Sequence, residues 1–427
     1  MTARIVSIGT AVPPARIGQD AVRELFASQP GVDRLTQRRI QGAFAASAIE
    51  HRHTVLGELA GLPAAPGGPV FLDGEGTLQA PTTGPRNALY TQLAPGLGAQ
   101  AARDALTDAG LAASAITHVV TVSCTGFFAP GPDYRLVRDL GLPTTTERYH
   151  LGFIGCAAAL PGLRLAARIA DSQPDAVVLV VCVELCSLHI RASADPQQIV
   201  AASVFGDGAA AVIVAGPDAV RDAGGLDLDR FGTALTDEGE NDMVWTIGDH
   251  GFEMVLSAEV PRIIGREIRG AVDRFIGLDT PDAWAVHPGG RSVIDRVETG
   301  LGLDPAALDA SRGVLREYGN MSSATILFIL RRLLHDDALP EGARVAGLAF
   351  GPGLTVESAL MTKRLGARPR ASTHDATQDA AAAATAVPAV AGPAVAGPGV
   401  AEPGVAEPDE TNRVLAARTA PALASHR

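Results

Sequence analysis

Strand-length and helix-length segments alternate along most of this 427-residue chain, and this alternation is the strongest constraint on its fold. The apolar runs Ile116–Val122 and Ala176–Val183 have the length of buried strands, and segments of helical character follow them. A second block repeats the order, with strands at Trp284–Val286 and Val345–Phe350. Two such blocks predict an α/β protein with two stacked or pseudo-symmetric sheets.

Composition and charge exclude several classes of function. The formal net charge of −12, without a stripe of Lys and Arg, argues against a nucleic-acid partner. The longest apolar run stops at Glu184 after a strand length, and the N-terminus is too short in apolar length for a signal peptide. The cysteines lack the paired spacings of a zinc site: Cys124, Cys156, Cys182 and Cys186. We therefore expect a cytoplasmic protein with reduced thiols, no metal and no membrane span.

The chain divides into three parts by pattern and composition. The first block covers residues 1–216 and the second covers residues 217–366. From about residue 367 the chain consists largely of Ala, Val, Pro and Gly repeats, and proline at this frequency blocks both helix and sheet. We expect residues 367–427 to form a disordered and dispensable tail.

Small residues surround Cys156 in the stretch 152–159, and a helical pattern starts just after it. This pattern predicts a tight turn at a helix N-terminus, where free backbone N–H groups and the helix dipole stabilise a thiolate. Such a position can lower a cysteine pKa from about 8.5 to roughly 3.5–7.5. The alternative is a buried cysteine that acts as a small hydrophobic residue.

Two further residues are candidates for the same chemistry. His287 ends a predicted strand before Pro288-Gly289-Gly290, and Asn320 precedes a predicted helix. Each also has a structural interpretation, as a histidine at a sheet edge and as a helix N-cap. Together with Cys156, however, they are the residue types that acyl transfer through a thioester needs. The histidine can keep the thiolate anionic, and histidine and asparagine can donate to the oxyanion of a thioester enolate.

From Ile5 to about Met361 the chain resembles the chalcone-synthase-like (type III) polyketide synthases. The resemblance rests on five motifs taken together: Gly155-Cys156, Phe205-Gly206-Asp207-Gly208-Ala209-Ala210, His287-Pro288-Gly289-Gly290, Tyr318-Gly319-Asn320-Met321-Ser322-Ser323 and Phe350-Gly351-Pro352-Gly353-Leu354-Thr355-Val356-Glu357. It implies a homodimer of five-layered αβαβα subunits with the thiolase-like fold, and an active site at the end of a tunnel that admits coenzyme A thioesters.

The resemblance also implies roles for the three reactive residues. Cys156 is expected to accept the starter acyl group, and His287 and Asn320 are expected to hold the thioester carbonyl and promote decarboxylation of malonyl-CoA. This chemistry needs no metal and no cofactor beyond the coenzyme A of the substrates.

Further residues are expected to shape the substrate cavity. Phe205 matches the family's gatekeeper phenylalanine, and the loop Gly351-Pro352-Gly353 matches the one that shapes the cyclisation cavity. Four positions depart from the plant enzymes, which carry three threonines and a second gatekeeper phenylalanine there: Cys124, Cys186, His189 and Met254. The flexible methionine should open the cavity wall. We also expect Gly289, Gly290 and Ser322 to contact the substrate.

The expected coenzyme A site differs from the family pattern. The segment Gln19–Ile49 has helical periodicity with arginines on its polar side, and Arg39 matches one of the basic residues that hold the coenzyme A phosphates. Gly42 and Ala46 stand at the other two positions. Either Arg38 or Arg291 compensates, or the acyl donor is not coenzyme A and a carrier protein supplies the starter.

Several functions remain open at this stage. The leading hypothesis is extension of a fatty acyl starter by malonyl-CoA to an alkylpyrone or alkylresorcinol, because the residues around Cys156 resemble bacterial relatives that take long starters. Cys124 also resembles members that make naphthalene products, such as 1,3,6,8-tetrahydroxynaphthalene synthase. A non-elongating acyltransferase of the same fold is a further alternative. A non-catalytic subunit is disfavoured because all three reactive residues are intact.

Overall fold

The computed structural model describes residues 2–219 and 223–366, and the predicted tail at 367–427 lies outside the described residues. Within them the strands are β1 (Arg4–Ala11), β2 (Ala15–Gly18), β3 (His51–Thr54), β4 (His118–Ser123), β5 (Glu147–Gly152), β6 (Val177–Leu185), β7 (Asp207–Ala215), β8 (Gly225–Leu235), β9 (Met243–Gly248), β10 (Gly251–Leu256), β11 (Ala283–Val286), β12 (Arg344–Gly351) and β13 (Thr355–Arg364). The helices are α1 (Gln19–Ala27), α2 (Arg34–Ala46), α3 (Thr83–Ala109), α4 (Pro132–Leu140), α5 (Ala159–Ser172), α6 (Pro196–Val204), α7 (Val260–Ile276), α8 (Arg291–Leu301), α9 (Asp309–Tyr318) and α10 (Thr325–Leu334). None of these helices is both long and apolar enough to cross a membrane.

The predicted two sheets are joined along one narrow seam. In the described part of the chain, nine strands follow the order β11-β12-β13-β8-β1-β7-β6-β4-β5. β1 and β8 pair only at Arg4 with Asp227 and at Ile5 with Leu226. The seam therefore separates a five-stranded half, β1 with β4 to β7, from a four-stranded half, β8 with β11 to β13.

Alternation of side chains along the strands produces five layers. On β6, Val178, Val180 and Cys182 face a central core that contains α5 and α10. Leu179 and Val181, on the opposite face of that strand, pack in an outer core with α3. The second half repeats this arrangement, with its inner face on the central core and its outer face on α7 and α8. The order of layers is αβαβα, which confirms the predicted fold class.

The structure also differs from the expected elements in places. The segment expected to be helical from Gln19 to Ile49 is interrupted at residues 28–33, which contain Pro30 and Gly31. Asp33 then starts α2, because its side chain accepts a hydrogen bond from the backbone N–H of Thr36 (2.7 Å). No strand was predicted at β2, β3, β5 or β13. β2 and β3 have only four residues each, and most side chains of β5 are exposed.

Close contact between β1 and α3 depends on Gly9, which has no side chain. A Cβ atom at Gly9 would lie 2.2 Å from the carbonyl oxygen of Ala101 and 2.3 Å from the backbone nitrogen of Ala105. We expect Gly9→Ala to lower the free energy of unfolding by about 1–3 kcal/mol, because helix and strand must move apart. Urea unfolding followed by circular dichroism measures the change.

The matched control for this prediction is Gly96→Ala on the same helix. Gly96 is exposed, and a Cβ atom there would meet nothing within 4 Å. Alanine favours helix over glycine by about 0.5–1 kcal/mol, so this variant should be slightly stabilised. Equal stability of Gly9→Ala and wild type would contradict the close packing of β1 on α3.

Candidate active site

Cys156 lies in a single turn of 3-10 helix, Gly155–Ala157, between β5 and α5. This position confirms the expected turn just before a helix. The turn needs glycine at position 155 for two reasons: φ is +78°, and a Cβ atom would lie 2.2 Å from Cδ of Pro352. A Cβ atom at Gly351 would in turn lie 3.0 Å from the carbonyl oxygen of Ile154. The loop 351–353 of the second half therefore packs directly against the cysteine turn of the first half.

Asn320 lies beside the thiol. Its side-chain Oδ1 is 4.0 Å from Sγ of Cys156 and accepts a hydrogen bond from the backbone N–H of Ser322 (2.9 Å). Its backbone N–H donates to the carbonyl of Val204 (2.8 Å), and its carbonyl accepts from the N–H of Gly206 (2.9 Å). These bonds to Val204 and Gly206, the neighbours of Phe205, fix the backbone of Asn320, which is 164 residues from Cys156 in sequence.

His287 follows β11 in a loop that hydrogen bonds to neighbouring segments hold in place. Its N–H donates to the carbonyl of Leu348 (2.8 Å), and the side chain of Asn320 donates to the carbonyl of Gly289 in the same loop (3.4 Å). Among the described residues, neither ring nitrogen of His287 has a hydrogen-bond partner. Burial lowers the pKa of His287 to about 3. The imidazole is therefore neutral at pH 7.

The cysteine is also neutral before substrate binds. Burial raises the pKa of Cys156 to about 11, and hydrogen bonds with Ser322 and Asn320 offset only part of the rise. This direction is opposite to the lowering expected from the helix start alone, because loss of hydration outweighs the effect of a few aligned dipoles. A thiolate at this site therefore forms only if its proton moves to a neighbouring base.

A cavity with an empty volume of about 1090 Å³, its open mouth included, adjoins Cys156. The predicted residues that line it are Cys124, Cys156, Cys186, His189, Phe205, Met254, Ser322 and Pro352. The predicted residues that do not line it are Arg39, His287, Gly289, Gly290, Asn320, Gly351 and Gly353. His287 and Asn320 are only 1% exposed, so they lie within the protein rather than on the cavity wall.

Phe205 is positioned by an arginine that the sequence did not single out. Arg52 is buried, lines the cavity, and donates from Nη1 to the carbonyls of Ala202 (2.6 Å) and Phe205 (2.8 Å). Burial lowers the pKa of Arg52 to about 10, and the nearby charge of Asp207 opposes this shift. The arginine remains charged at pH 7 and anchors the backbone of Phe205 at the end of α6.

The hairpin β9–β10 supplies a wall that the sequence analysis recognised only at Met254. Trp245 and Phe252 also line the cavity, and Nε1 of Trp245 donates to the carbonyl of Cys124 (2.8 Å). Trp245 is directly opposite Met254 in the hairpin. Alternate apolar residues around the turn at 249–250 were a signal for such a hairpin, but nothing in the pattern indicated what it would cover.

His189 connects this hairpin to the first half of the chain. Its Nε2 is 2.9 Å from the carbonyl oxygen of Thr125, and its Nδ1 accepts from the N–H of Phe252 (3.0 Å). The ring stacks on Phe252 with a centroid distance of 4.2 Å. Burial lowers the pKa of His189 to about 3. Both nitrogens are occupied in the neutral form, so this histidine positions the cavity wall and does not carry protons.

The expected coenzyme A residue Arg39 is exposed on α2, together with Arg38. Gly42 is exposed on the same helix, and a Cβ atom there would meet nothing within 4 Å. Arg291, at the start of α8, forms an ion pair with Asp295 (3.4 Å). The role of these arginines in holding a phosphate group stays a prediction.

Comparison with protein families gives two matches that cover most of the chain. Residues 1–218 match the N-terminal domain of chalcone and stilbene synthases, and residues 233–364 match their C-terminal domain. The 3,5-dihydroxyphenylacetyl-CoA synthase of Streptomyces toyocaensis is 31% identical over 368 residues, which are 84% of this chain and 89% of that protein. The probable polyketide synthase 1 of Dictyostelium discoideum is 30% identical over 370 residues, and the chain spans only 11% of its length.

Solved structures with the same fold agree with these matches. PKS-I of the brown alga Ectocarpus siliculosus aligns with a TM-score of 0.79 and 30% identity, over 85% of this chain and 98% of that one. The 1,3,6,8-tetrahydroxynaphthalene synthase of Streptomyces coelicolor A3(2) aligns with a TM-score of 0.74 and 29% identity, over 85% of this chain and 100% of that one.

The neutral state of His189 predicts loss of stability in acid. The unfolded chain binds a proton on this histidine below about pH 6.5, whereas the folded protein does so only near pH 3. Its contribution to the free energy of unfolding is therefore fully present above pH 6.5 and decreases by about 1.4 kcal/mol per pH unit as the pH falls toward 3. Urea unfolding between pH 7 and pH 4 measures the slope.

Comparison with His189→Gln isolates this contribution from those of other groups. The variant should be less stable at pH 7, and its stability should decrease less steeply in acid than that of wild type. The control, His250→Gln, changes an exposed histidine of the same hairpin region and should keep the wild-type slope. Identical slopes for wild type and His189→Gln would show that His189 is not held neutral.

Proposed function

We propose that this chain loads a fatty acyl starter on Cys156 and extends it with malonyl-CoA. The proposal starts from the family: the chain belongs to the chalcone and stilbene synthases and is a type III polyketide synthase. The product would be an alkylpyrone or an alkylresorcinol. The observation that supports the site most directly is the contact between Cys156 and Asn320, 4.0 Å apart, beside the loop of His287.

Loading begins with a proton transfer. The neutral imidazole of His287 accepts the thiol proton of Cys156, and the resulting thiolate attacks the thioester carbonyl of the starter. The C–S bond to coenzyme A then breaks, and coenzyme A leaves as the thiol after taking the proton back from the imidazolium of His287, which becomes neutral again. Because burial disfavours both ions, the pair is generated only when the substrate is in place to react.

Chain extension uses two hydrogen-bond donors of the site, Asn320 and His287. The thioester carbonyl of malonyl-CoA accepts hydrogen bonds from the amide of Asn320 and from the N–H of the neutral imidazole of His287. The bond to the carboxylate carbon breaks, CO2 leaves, and its electron pair forms the enolate that these donors stabilise. The enolate carbon attacks the acyl group on Cys156, and the thiolate is released for the next round. Phe205 supplies apolar surroundings that favour loss of the charged carboxylate.

The cavity wall supports an apolar starter. Aliphatic side chains make up much of the wall. Met254 has a flexible thioether chain where the plant enzymes carry the ring of a phenylalanine. Coenzyme A is the proposed donor, with Arg39 at its phosphates, and a carrier protein remains the alternative donor.

A second candidate substrate has its own support. The relatives include a 1,3,6,8-tetrahydroxynaphthalene synthase, and Cys124, which suggested a product of that class, lines the cavity. In that case malonyl-CoA alone would serve as both starter and extender. A non-elongating acyltransferase would also load Cys156, but its product would form without malonyl-CoA.

We also propose a homodimer. The strand β5 stands at the end of the five-stranded half, and four of its six residues are exposed. An open strand edge presents backbone N–H and C=O groups with which a second copy can pair. Light scattering during size-exclusion chromatography tests this state, and a monomer at micromolar concentration would contradict it.

The roles of the three reactive residues are tested by separating loading from decarboxylation. Cys156→Ala should abolish covalent acylation, seen by intact mass, because it removes the cavity thiol that lies 4.0 Å from Asn320. Asn320→Ala and His287→Ala should reduce release of CO2 from malonyl-CoA by about 10²–10³ fold each, the effect of losing one oxyanion donor.

A matched control uses a cysteine that does not line the cavity. Cys182 is fully buried in β6, so Cys182→Ala should keep both acylation and CO2 release. Acylation of the Cys156→Ala variant at the wild-type level would contradict the assignment of the nucleophile.

The starter class is tested by product analysis. Purified protein is incubated with malonyl-CoA and with acyl-CoAs from hexanoyl to hexadecanoyl, and the products are identified by mass spectrometry. We expect alkylated pyrones or resorcinols whose mass follows the starter. Products from malonyl-CoA alone, unchanged by the acyl-CoAs, would favour the naphthalene alternative, and acylated acceptors without malonyl-CoA would favour the acyltransferase.

A further inference from the structure

A chain of hydrogen bonds runs from the cavity wall to a buried carboxylate that loading and extension do not use. Thr54, at the end of β3, and Ser187, just after β6, both line the cavity beside Cys156. The hydroxyl of Thr54 donates to that of Ser187 (2.8 Å), and the hydroxyl of Ser187 donates to Oδ2 of Asp207. Asp207 is the first residue of β7 and is fully buried. We call these three residues the hydroxyl relay.

Backbone groups give the relay its direction. The N–H of Leu56 donates to the hydroxyl oxygen of Thr54 (3.0 Å), and the N–H groups of Val55 (2.8 Å) and Ser187 (2.7 Å) donate to the carboxylate of Asp207. An ionised carboxylate can only accept, so the hydroxyl of Ser187 is the donor in its bond to Asp207. Its oxygen also accepts from Thr54, which leaves one lone pair for a group in the cavity.

The carboxylate at the end of the relay can take up and release a proton. Burial raises the pKa of Asp207 to about 6, because no water solvates its charge, while hydrogen bonds from Ser187 and Val55 and the charge of Arg52 oppose this shift. Ser187 is only partly buried, so it can meet a reactant in the cavity that Asp207 cannot reach. An accessible hydroxyl with a carboxylate behind it has the parts of a general base.

We propose that Ser187, with Asp207 behind it, is the base that closes the ring of the product. This inference rests on the proposed function, because it assumes that Cys156 carries a poly-β-ketone after the malonyl extensions. The methylene group between two ketone carbonyls is the most acidic C–H group of such a chain, and closing a pyrone ring begins with removal of its proton.

Ring closure is then a proton transfer followed by lactone formation. The oxygen of Ser187 takes the methylene proton while its own proton moves to Asp207, and the electron pair of the broken C–H bond forms an enolate. The enolate oxygen attacks the thioester carbonyl on Cys156. The C–O bond forms, the C–S bond breaks, and the sulfur leaves with the electron pair as a thiolate. The proton on Asp207 returns through the hydroxyl of Ser187 and neutralises this thiolate, so the pyrone is released and both residues regain their starting states.

His53 is a competing base on the same cavity wall. Its Nδ1 is 2.7 Å from the carbonyl oxygen of Pro13, so the neutral ring donates there and keeps Nε2 as an acceptor. Burial lowers the pKa of His53, because protonation would place a charge inside the protein. Proton uptake by Asp207 has the opposite effect, since it removes a buried charge. Burial therefore favours the relay over His53.

Ser187→Ala tests the relay directly. The variant loses the hydroxyl but keeps the backbone N–H groups of residues 55 and 187 that hold Asp207 in place. Enzyme in excess is mixed with hexanoyl-CoA and malonyl-CoA, intact mass follows the decay of the extended chain on Cys156, and mass spectrometry identifies what is released. We expect decay into ring-closed product to slow about 10²-fold, the usual effect of losing a general base.

Conservative variants separate a proton relay from a structural role. Ser187→Thr and Thr54→Ser each keep a hydroxyl and should recover most of the wild-type rate of ring closure. Thr54→Val has nearly the same shape as threonine but no longer orients Ser187, and it should slow ring closure roughly tenfold, the effect of one lost hydrogen bond. The control is Ser203→Ala, a buried hydroxyl of α6 that donates to the carbonyl of Val200 (2.7 Å) and does not line the cavity. It should close the ring as wild type does.

The outcomes distinguish this inference from the function it rests on, with thermal unfolding as the check that each variant is folded. Ring closure at the wild-type rate in Ser187→Ala would overturn the relay and leave the proposed function intact. The same loss in Ser187→Thr as in Ser187→Ala would show a structural role and overturn the relay too. Loss of closure in His53→Gln, with normal closure in Ser187→Ala, would assign the base to His53.

Two outcomes concern the starter and the extension. Wild type that closes rings from malonyl-CoA alone would overturn the fatty acyl starter, and the relay would then be measured by the decay of the malonyl-derived chain on Cys156. Wild type that extends no chain would overturn the proposed function and the relay together.

Discussion

The contact between the two halves at the cysteine turn is the constraint on which the rest of the site depends. Gly155 and Gly351 have no side chains, and only for this reason can the loop 351–353 pack on the turn that carries Cys156. Asn320 then reaches the thiol from a third segment, which is hydrogen-bonded on both sides of Phe205. A side chain at either glycine would push this loop away from the cysteine turn.

Burial determines the electrostatics of this site. The thiol of Cys156 and the imidazole of His287 both favour their neutral forms, because neither charge is well solvated inside the protein. A neutral thiol and a neutral imidazole suit the proposed chemistry, since the imidazole can accept the thiol proton, return it to the leaving coenzyme A, and then donate its single N–H to a substrate oxygen. The same environment strengthens hydrogen bonds to an enolate, which carries its charge where water is excluded.

The sequence indicated the reactive residues through their types and through their places at the ends of strands and starts of helices. It also predicted Phe205, Met254 and the loop 351–353 near the substrate, and the cavity includes Phe205, Met254 and Pro352. It did not single out Arg52, Trp245 or the aliphatic residues of α1. These residues belong to elements that look like ordinary core or surface segments, and only their packing places them around one cavity.

The sequence by itself predicted the alternation of strands and helices along most of the chain, which follows from local periodicity. The αβαβα class and the roles proposed for Cys156, His287 and Asn320 follow from the resemblance of short motifs, whose residues are close together in the chain, to those of a known family. The tertiary structure alone decided the distance between Cys156 and Asn320, the direction of the thiol pKa and the set of residues that line the cavity. Those properties depend on burial and on contacts between residues that are more than a hundred positions apart, and a one-dimensional pattern contains no measure of either.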